Sequence, residues 1–125
     1  MKSAAMKDQI RPQDGPPFVL LKSAAKFSKP LIIAVRGVAI GIGVTILLHA
    51  DLVYTDNTAI FQIPFVSLGL SPEGASSKLL VEQAGYHQAA ELLLTAQKWN
   101  SEKEIIDKIK DNFSFKNMVF LIIIY

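Results

Sequence analysis

The sequence predicts an α/β domain, because strand and helix patterns alternate along it. The run Leu31–Val35 is continuously apolar over the length of one strand, which is typical of a strand covered on both faces. Gly41 and Gly43 then mark the passage from this strand into a helical pattern. Helices and strands in alternation indicate an α/β arrangement around a central sheet.

The composition is that of one globular domain. Half of the 125 residues are hydrophobic and 19% are charged. A net charge of +2 with scattered lysines argues against nucleic acid or an acidic membrane as partner. The absence of cysteine excludes disulfides, thiolate metal sites and a cysteine nucleophile. With no secretion signal and no apolar run of roughly 18 residues, we expect a soluble, cytoplasmic protein without a membrane span.

The first half of the chain is predicted to hold two helices and a strand. Residues 1–15 read as a loop, and the prolines at 16 and 17 open a helix that extends to about residue 28. The strand Leu31–Val35 follows, and a turn at residues 36–37 leads into a helix that ends near residue 50. The buried side of the first helical segment is predicted to carry Phe18, Leu21, Ala25 and Phe27.

The second half continues the alternation. Strands are predicted at residues 51–55 and 58–61, a loop or short strand at 66–70, and helices at 72–84 and 86–95 with Gly85 between them. Ser101 begins a capping box for a last helix that ends near Asp111. The apolar end of the tail is expected either to pair as a strand or to promote aggregation.

Two places could carry chemistry. Gly41 and Gly43 either expose helix amides to an anion or allow a helix to pack closely on a strand, and the spacing leaves both interpretations open. Glu73 is predicted to lie in the first turn of a helix, where an acid is favoured electrostatically. Its apolar neighbours Phe65, Leu68 and Leu70 allow a second interpretation, since an acid in apolar surroundings can act as a general base near neutral pH. The histidines have no metal-ligand spacing, so no metal site is expected.

Four segments together resemble the core of the crotonase (enoyl-CoA hydratase/isomerase) superfamily. They are residues 29–43, 51–54, 61–65 and 68–77. The last of them, which contains Pro72-Glu73-Gly74, is most similar to the peroxisomal-type Δ3,Δ2-enoyl-CoA isomerase branch. The resemblance runs from about residue 15 to residue 104.

The resemblance implies a partial ββα spiral fold that assembles as a trimer or hexamer. A coenzyme A thioester would be the substrate, with no further cofactor, and the location would be peroxisomal in a eukaryote, although the chain carries no C-terminal peroxisomal signal. Glu73 would shuttle the proton of a 3-enoyl-CoA, and the amides of Ile42 and Ala4 would form the oxyanion hole. The substrate-binding positions that the resemblance implies are Ala39, Gly41, Phe65 and Leu70.

The same comparison disfavours hydration, because Thr45 and Phe65 occupy the positions of the two glutamates that handle water in hydratases. Family members are longer than this chain, which is therefore expected to be truncated at both ends. We divide it into an N-terminal loop remnant (1–15), a partial core (16–111) and an apolar tail (112–125). Three functions follow in order: an enoyl-CoA isomerase, a non-catalytic acyl-CoA-binding or interaction module, and an enoyl-CoA hydratase.

Overall fold

The computed structural model of the protein describes residues 14–101 and the backbone of residues 120–124. Helices and strands alternate within these residues, so the α/β prediction is confirmed. Residues 1–13 of the loop predicted at 1–15, and the predicted helix after Ser101, lie outside the described residues. In chain order the elements are α1 (Pro16–Ala25), β1 (Leu31–Val35), β2 (Val38–Ile40), α2 (Ile42–Thr45), a 3₁₀ helix (Ile46–His49), β3 (Leu52–Thr55), β4 (Ile60–Gln62), a further 3₁₀ helix (Val66–Leu68), α3 (Ser76–Ala84), α4 (Tyr86–Thr95), β5 (Trp99–Asn100) and β6 (Phe120–Ile124).

The first sheet is parallel and has β1 in its centre, between β3 and β6. Ile33 of β1 is in register with Val53 of β3 and with Ile122 of β6. All side chains of β1 are buried except that of Ala34, which is half-buried, as expected for a strand covered on both faces. Pairing as a strand, one of the two outcomes predicted for the tail, is the one observed.

The second sheet has β4 in its centre, with β2 parallel and β5 antiparallel to it. The sequence does not predict β2, because three residues between glycine turns are too few to show a periodic pattern. Ala39 is buried in the core, whereas Val38 and Ile40 are exposed on the other face. This short strand carries the chain directly into α2.

The helix predicted at residues 16–28 is α1, which ends at Ala25. Its predicted buried side is wrong: Leu21 is buried, but Phe18 is 36% exposed, Phe27 is 42% exposed, and Ala25 is exposed as well. The reason is that α1 contacts the rest of the fold chiefly through the 3₁₀ helix Ile46–His49, and Leu21 is the side chain of α1 that becomes buried.

The helices α3 and α4 are separated at Gly85, as predicted. The predicted start of α3 at residue 72 is wrong, because Gly74 and Ala75 both have left-handed backbone angles that a right-handed helix cannot contain. The helix therefore begins at Ser76. Residues Val66–Leu68, predicted as loop or short strand, form a 3₁₀ helix that lies against α4.

Asp51 fixes the start of β1 beside β3. The N–H of Leu31 donates to Asp51 Oδ2 at 2.6 Å, and the N–H of Asp51 donates to Leu31 O at 2.8 Å. Leu31 is only 4% exposed, so few other partners can reach its amide. The carboxylate therefore satisfies a donor that would otherwise be left unpaired at the edge of the core.

Thr58 joins the turns that follow β1 and β3. Its hydroxyl accepts from the N–H of Gly37 at 3.2 Å and donates to Asp56 Oδ1 at 2.6 Å. This hydrogen bond lowers the pKa of Asp56 below its ordinary value of 3.8, and Arg36 Nε at 3.5 Å from the carboxylate acts in the same direction. Folding thus favours the ionised form, and this contribution to stability is present above pH 3.8 and lost as the pH falls through the lower pKa of the folded state.

We predict that Asp51→Ala lowers the free energy of unfolding by about 1 to 3 kcal/mol, because it leaves the Leu31 amide without its acceptor. Urea denaturation measures the change. The matched control is Glu82→Ala, which removes an exposed carboxylate 3.6 Å from Lys78 and should cost about 0.5 kcal/mol or less. Equal losses in the two variants would contradict the assigned role of Asp51.

We predict that Thr58→Val raises the pKa of Asp56 toward 3.8, because the donor with the largest effect on the carboxylate is removed. Titration of the Asp56 carboxyl carbon by nuclear magnetic resonance measures this directly. The control is Asn57→Ala, at the exposed position between Asp56 and Thr58, which should leave the titration of Asp56 unchanged. An unchanged Asp56 titration in Thr58→Val would disprove the explanation.

Candidate functional site

Gly41 sets the direction in which the chain enters α2. It has a φ of +55°, and its N–H donates to Gln62 O of β4 at 2.9 Å. A Cβ at Gly41 would meet nothing within 4 Å, and one at Gly43 would make ordinary contact with Ala39 Cβ at 3.7 Å. The interpretation that these glycines are needed for close packing is therefore wrong. Gly41 is needed for a backbone conformation that residues with side chains rarely adopt.

The helix α2 begins at Ile42, directly after this turn. The N–H of Ile42 belongs to the first turn of α2, whose amides have no acceptor within the helix. The residue is half-buried, and its carbonyl oxygen is 3.5 Å from the hydroxyl of Thr45. Thr45 is fully buried one turn further on.

Glu73 lies before α3 rather than in its first turn, which corrects the prediction. Its carbonyl oxygen accepts from the N–H of Ser76, the first residue of the helix, at 3.0 Å. Its half-buried side chain does not cap α3. Stabilisation by the helix dipole therefore does not explain why an acid occupies this position.

The carboxylate of Glu73 is held by Thr45. Thr45 Oγ1 donates to Glu73 Oε1 at 2.5 Å, which is the short distance typical of a hydroxyl bonded to a carboxylate. The same hydroxyl is the one near Ile42 O, so the two residues singled out by the resemblance, Glu73 and Ile42, meet at one side chain. The sequence does not reveal this contact, because 28 residues separate Thr45 from Glu73.

The backbone of the same turn is held by His49. His49 Nε2 lies 2.8 Å from Gly74 O, and since a carbonyl oxygen only accepts, Nε2 carries the hydrogen. Gly74 has a φ of +63°, and a Cβ there would lie 3.2 Å from Leu21 Cδ2 and from Thr45 Cβ and Oγ1. Sequence reasoning missed both Thr45 and His49 as partners. Their spacing of four residues, which places side chains on one side of a helix, is the signal that could have found them.

The predicted substrate-binding residues differ in accessibility. Ala39 and Phe65 are buried in the core, at 1% and 4% exposure, whereas Gly41 is half-buried and Leu70 is 58% exposed. The N–H of Leu70 donates to Phe65 O at 2.8 Å, which closes the loop between them. Because Leu70 and Leu68 are exposed, the apolar surroundings expected for Glu73 are not formed by these two leucines. Ala4, the second predicted oxyanion donor, lies outside the described residues.

No group of three or more His, Asp or Glu side chains in the described part of the chain could hold a metal ion. No helix among residues 14–101 is long and apolar enough to cross a bilayer. A surface cleft of about 300 Å³ lies beside β5, lined by Ile60, Lys98, Trp99 and Asn100, none of which is a predicted site residue.

Known proteins resemble this chain in sequence and in structure. A sequence model described as enoyl-CoA hydratase/isomerase matches residues 5–106. Among curated proteins, rat enoyl-CoA delta isomerase 2 is 46% identical over 72 residues, which are 58% of this chain and 18% of the relative. Human chromodomain Y-like protein is 38% identical over 78 residues, or 62% of this chain and 13% of the relative. The chain thus spans less than a fifth of the length of these relatives.

Two solved structures have the same fold over this region. A protein of Acinetobacter baumannii assigned as an enoyl-CoA hydratase/isomerase is 68% identical with a TM-score of 0.75, over 83% of this chain and 44% of that one. Pseudomonas aeruginosa OdaA is 40% identical with a TM-score of 0.74, over 81% of this chain and 41% of that one. The partial crotonase-like fold expected from the sequence is therefore confirmed. Because the family model matches residues 5–106 of the 125 residues, the chain belongs to the enoyl-CoA hydratase/isomerase family.

Proposed function

We propose that the protein is an enoyl-CoA isomerase that moves the double bond of a 3-enoyl-CoA to the 2-position, with Glu73 as its acid and base. The observation that carries the proposal is the carboxylate of Glu73, held at 2.5 Å by Thr45, the last residue of α2. Membership of the family supports an enoyl-CoA thioester as substrate. The similarity to rat enoyl-CoA delta isomerase 2 supports isomerisation among the activities that the family's description names.

The proposed reaction needs one proton and one carboxylate. Glu73 removes a proton from C2 of the 3-enoyl-CoA, and the electron pair of the C–H bond delocalises onto the thioester oxygen as a dienolate. Glu73 then returns the proton to C4, and the double bond re-forms between C2 and C3. The carboxylate is regenerated, so the cycle consumes neither water nor a cofactor.

Stabilisation of the dienolate is assigned to backbone amides. The N–H of Ile42 is the proposed donor in the described part of the chain, and that of Ala4 is the proposed second donor. Donors fixed in place before charge develops need no reorganisation during the reaction, and losing one typically costs ~10²- to 10³-fold in rate. Gly41 supports this role, because its backbone conformation determines where α2 begins.

Hydration is disfavoured by the residues at the two positions that resemble the glutamates of hydratases. Addition of water needs one group that takes a proton from the water and a second group that delivers a proton to the substrate. The positions that resemble the two glutamates of hydratases hold Thr45, which bonds Glu73, and Phe65, which is 4% exposed and apolar. Of the three positions compared, Glu73 alone then carries a carboxylate that can transfer a proton, and this suits a shift of a double bond within one molecule.

The first test is conversion of a 3-enoyl-CoA to the 2-enoyl-CoA by the 125-residue chain. We predict that Glu73→Gln lowers kcat at least about 100-fold, because the amide is the same size and cannot take up the proton. Glu82→Gln, an exposed position of α3, is the matched control and should leave kcat unchanged.

Equal activity in Glu73→Gln and the unaltered chain would overturn the assignment of the base. Binding of the thioester with no conversion, measured by calorimetry, would replace the isomerase by the non-catalytic acyl-CoA-binding module.

A second test separates isomerase from hydratase. We predict that crotonyl-CoA is not hydrated at a rate comparable with isomerisation, since Thr45 and Phe65 supply no carboxylate for water. Loss of the conjugated enoyl absorbance measures hydration directly. Hydration as fast as isomerisation would reverse the order of the two activities.

A further inference from the structure

We propose that Thr45 is a positioning residue that binds Oε1 of Glu73 and thereby leaves Oε2 as the oxygen that carries the proton. This inference deepens the proposed function and rests on it. The hydroxyl of Thr45 has a single hydrogen and two acceptors in reach. Glu73 Oε1 is at 2.5 Å and Ile42 O at 3.5 Å, so the hydrogen is directed to the carboxylate.

Thr45 has little freedom to turn away from Glu73. The residue is fully buried, and its own N–H donates to Gly41 O at 3.0 Å. A β-branched side chain has few rotamers in a helix. Gly74 packs so closely on Thr45 that a Cβ at Gly74 would lie 3.2 Å from both Cβ and Oγ1 of the threonine.

The other side of the contact is fixed as well. His49 holds the carbonyl oxygen of Gly74 at 2.8 Å, and the N–H of Ser76 holds that of Glu73 at 3.0 Å. The backbone that follows the Glu73 side chain is therefore anchored at two successive carbonyl groups. What Thr45 adds is the orientation of the carboxyl group itself.

The two oxygens of the carboxylate consequently differ. Within the described residues Oε1 accepts from Thr45 and Oε2 has no hydrogen-bond partner. Glu73 is half-buried, so the free oxygen is the one available to a ligand. When a proton binds Oε2, Oε1 becomes a carbonyl-type acceptor and still accepts from the same hydroxyl. The hydrogen bond thus persists through both proton transfers and requires no reorganisation between them.

The test compares three variants of the 125-residue chain in the isomerase assay. Thr45→Val keeps the volume and removes the donor, and we expect kcat to fall about 10- to 100-fold, the range for loss of a hydrogen bond to a charged group. KM should stay unchanged, because Thr45 acts through Glu73. Thr45→Ser should restore kcat, since it restores the donor. Thr55→Val is the matched control, because it removes a buried hydroxyl that has no hydrogen-bond partner among the described residues.

A second readout does not depend on activity. In protein with carbon-13 in the glutamate carboxyl groups, the Glu73 signal is identified by its absence in Glu73→Gln. We expect it to shift in Thr45→Val and to keep its position in Thr45→Ser and Thr55→Val, with similar thermal unfolding midpoints in all three.

The two readouts separate the two proposals. A shifted Glu73 signal in a chain without isomerase activity would refute the proposed function and retain the positioning role. A signal that does not move in Thr45→Val, or a kcat equal in Thr45→Val and the unaltered chain, would overturn the inference. So would a kcat that falls equally in Thr45→Val and Thr45→Ser.

Discussion

The close approach of Gly74 to Thr45 is the constraint on which the site depends. Because Gly74 has no Cβ, the turn that carries Glu73 lies against the start of the helical segment, where a side chain would meet Thr45 at 3.2 Å. Left-handed angles at Gly74 and Ala75 end this turn and delay α3 until Ser76. Gly74 thus allows the close approach of the carboxylate to Thr45, and together with Ala75 it sets the start of the next helix.

The two sheets hold the partners of this contact in place. Gly41 is bonded to Gln62 of β4, so the second sheet fixes the beginning of α2 and, one turn later, Thr45. The first sheet is fixed to the end of the same helical segment, because Asp51, which bonds Leu31, follows His49 by only two residues. The helical segment that contacts the Glu73 turn is therefore anchored to a sheet at each end. Groups carried on such rigid elements keep a fixed arrangement.

The sequence predicted those parts of the fold whose signals are local. The apolar run Leu31–Val35 and the helix Tyr86–Thr95 after Gly85 depend on patterns that lie within each segment. The sequence did not predict β2, because this strand is too short to show a periodic pattern. It also placed the start of α3 too early, because Pro72 suggested a helix that the backbone angles of Gly74 forbid. Such angles depend on packing against distant residues, and a single sequence does not report that packing.

In the candidate site, too, the sequence reported local signals but not contacts between distant residues. The roles predicted for Glu73 and Ile42 came from a family resemblance carried by their neighbours in the chain, whereas Thr45 was noted only as a position without a carboxylate. Under the proposed function, the hydrogen bond from Thr45 to Glu73 explains why a threonine suits this position. A second carboxylate in contact with that of Glu73 would repel it or share its proton, because a like charge disfavours ionisation of both groups. A hydroxyl at the same place donates to the charge instead, which leaves one carboxylate and one mobile proton for a reaction that adds no water.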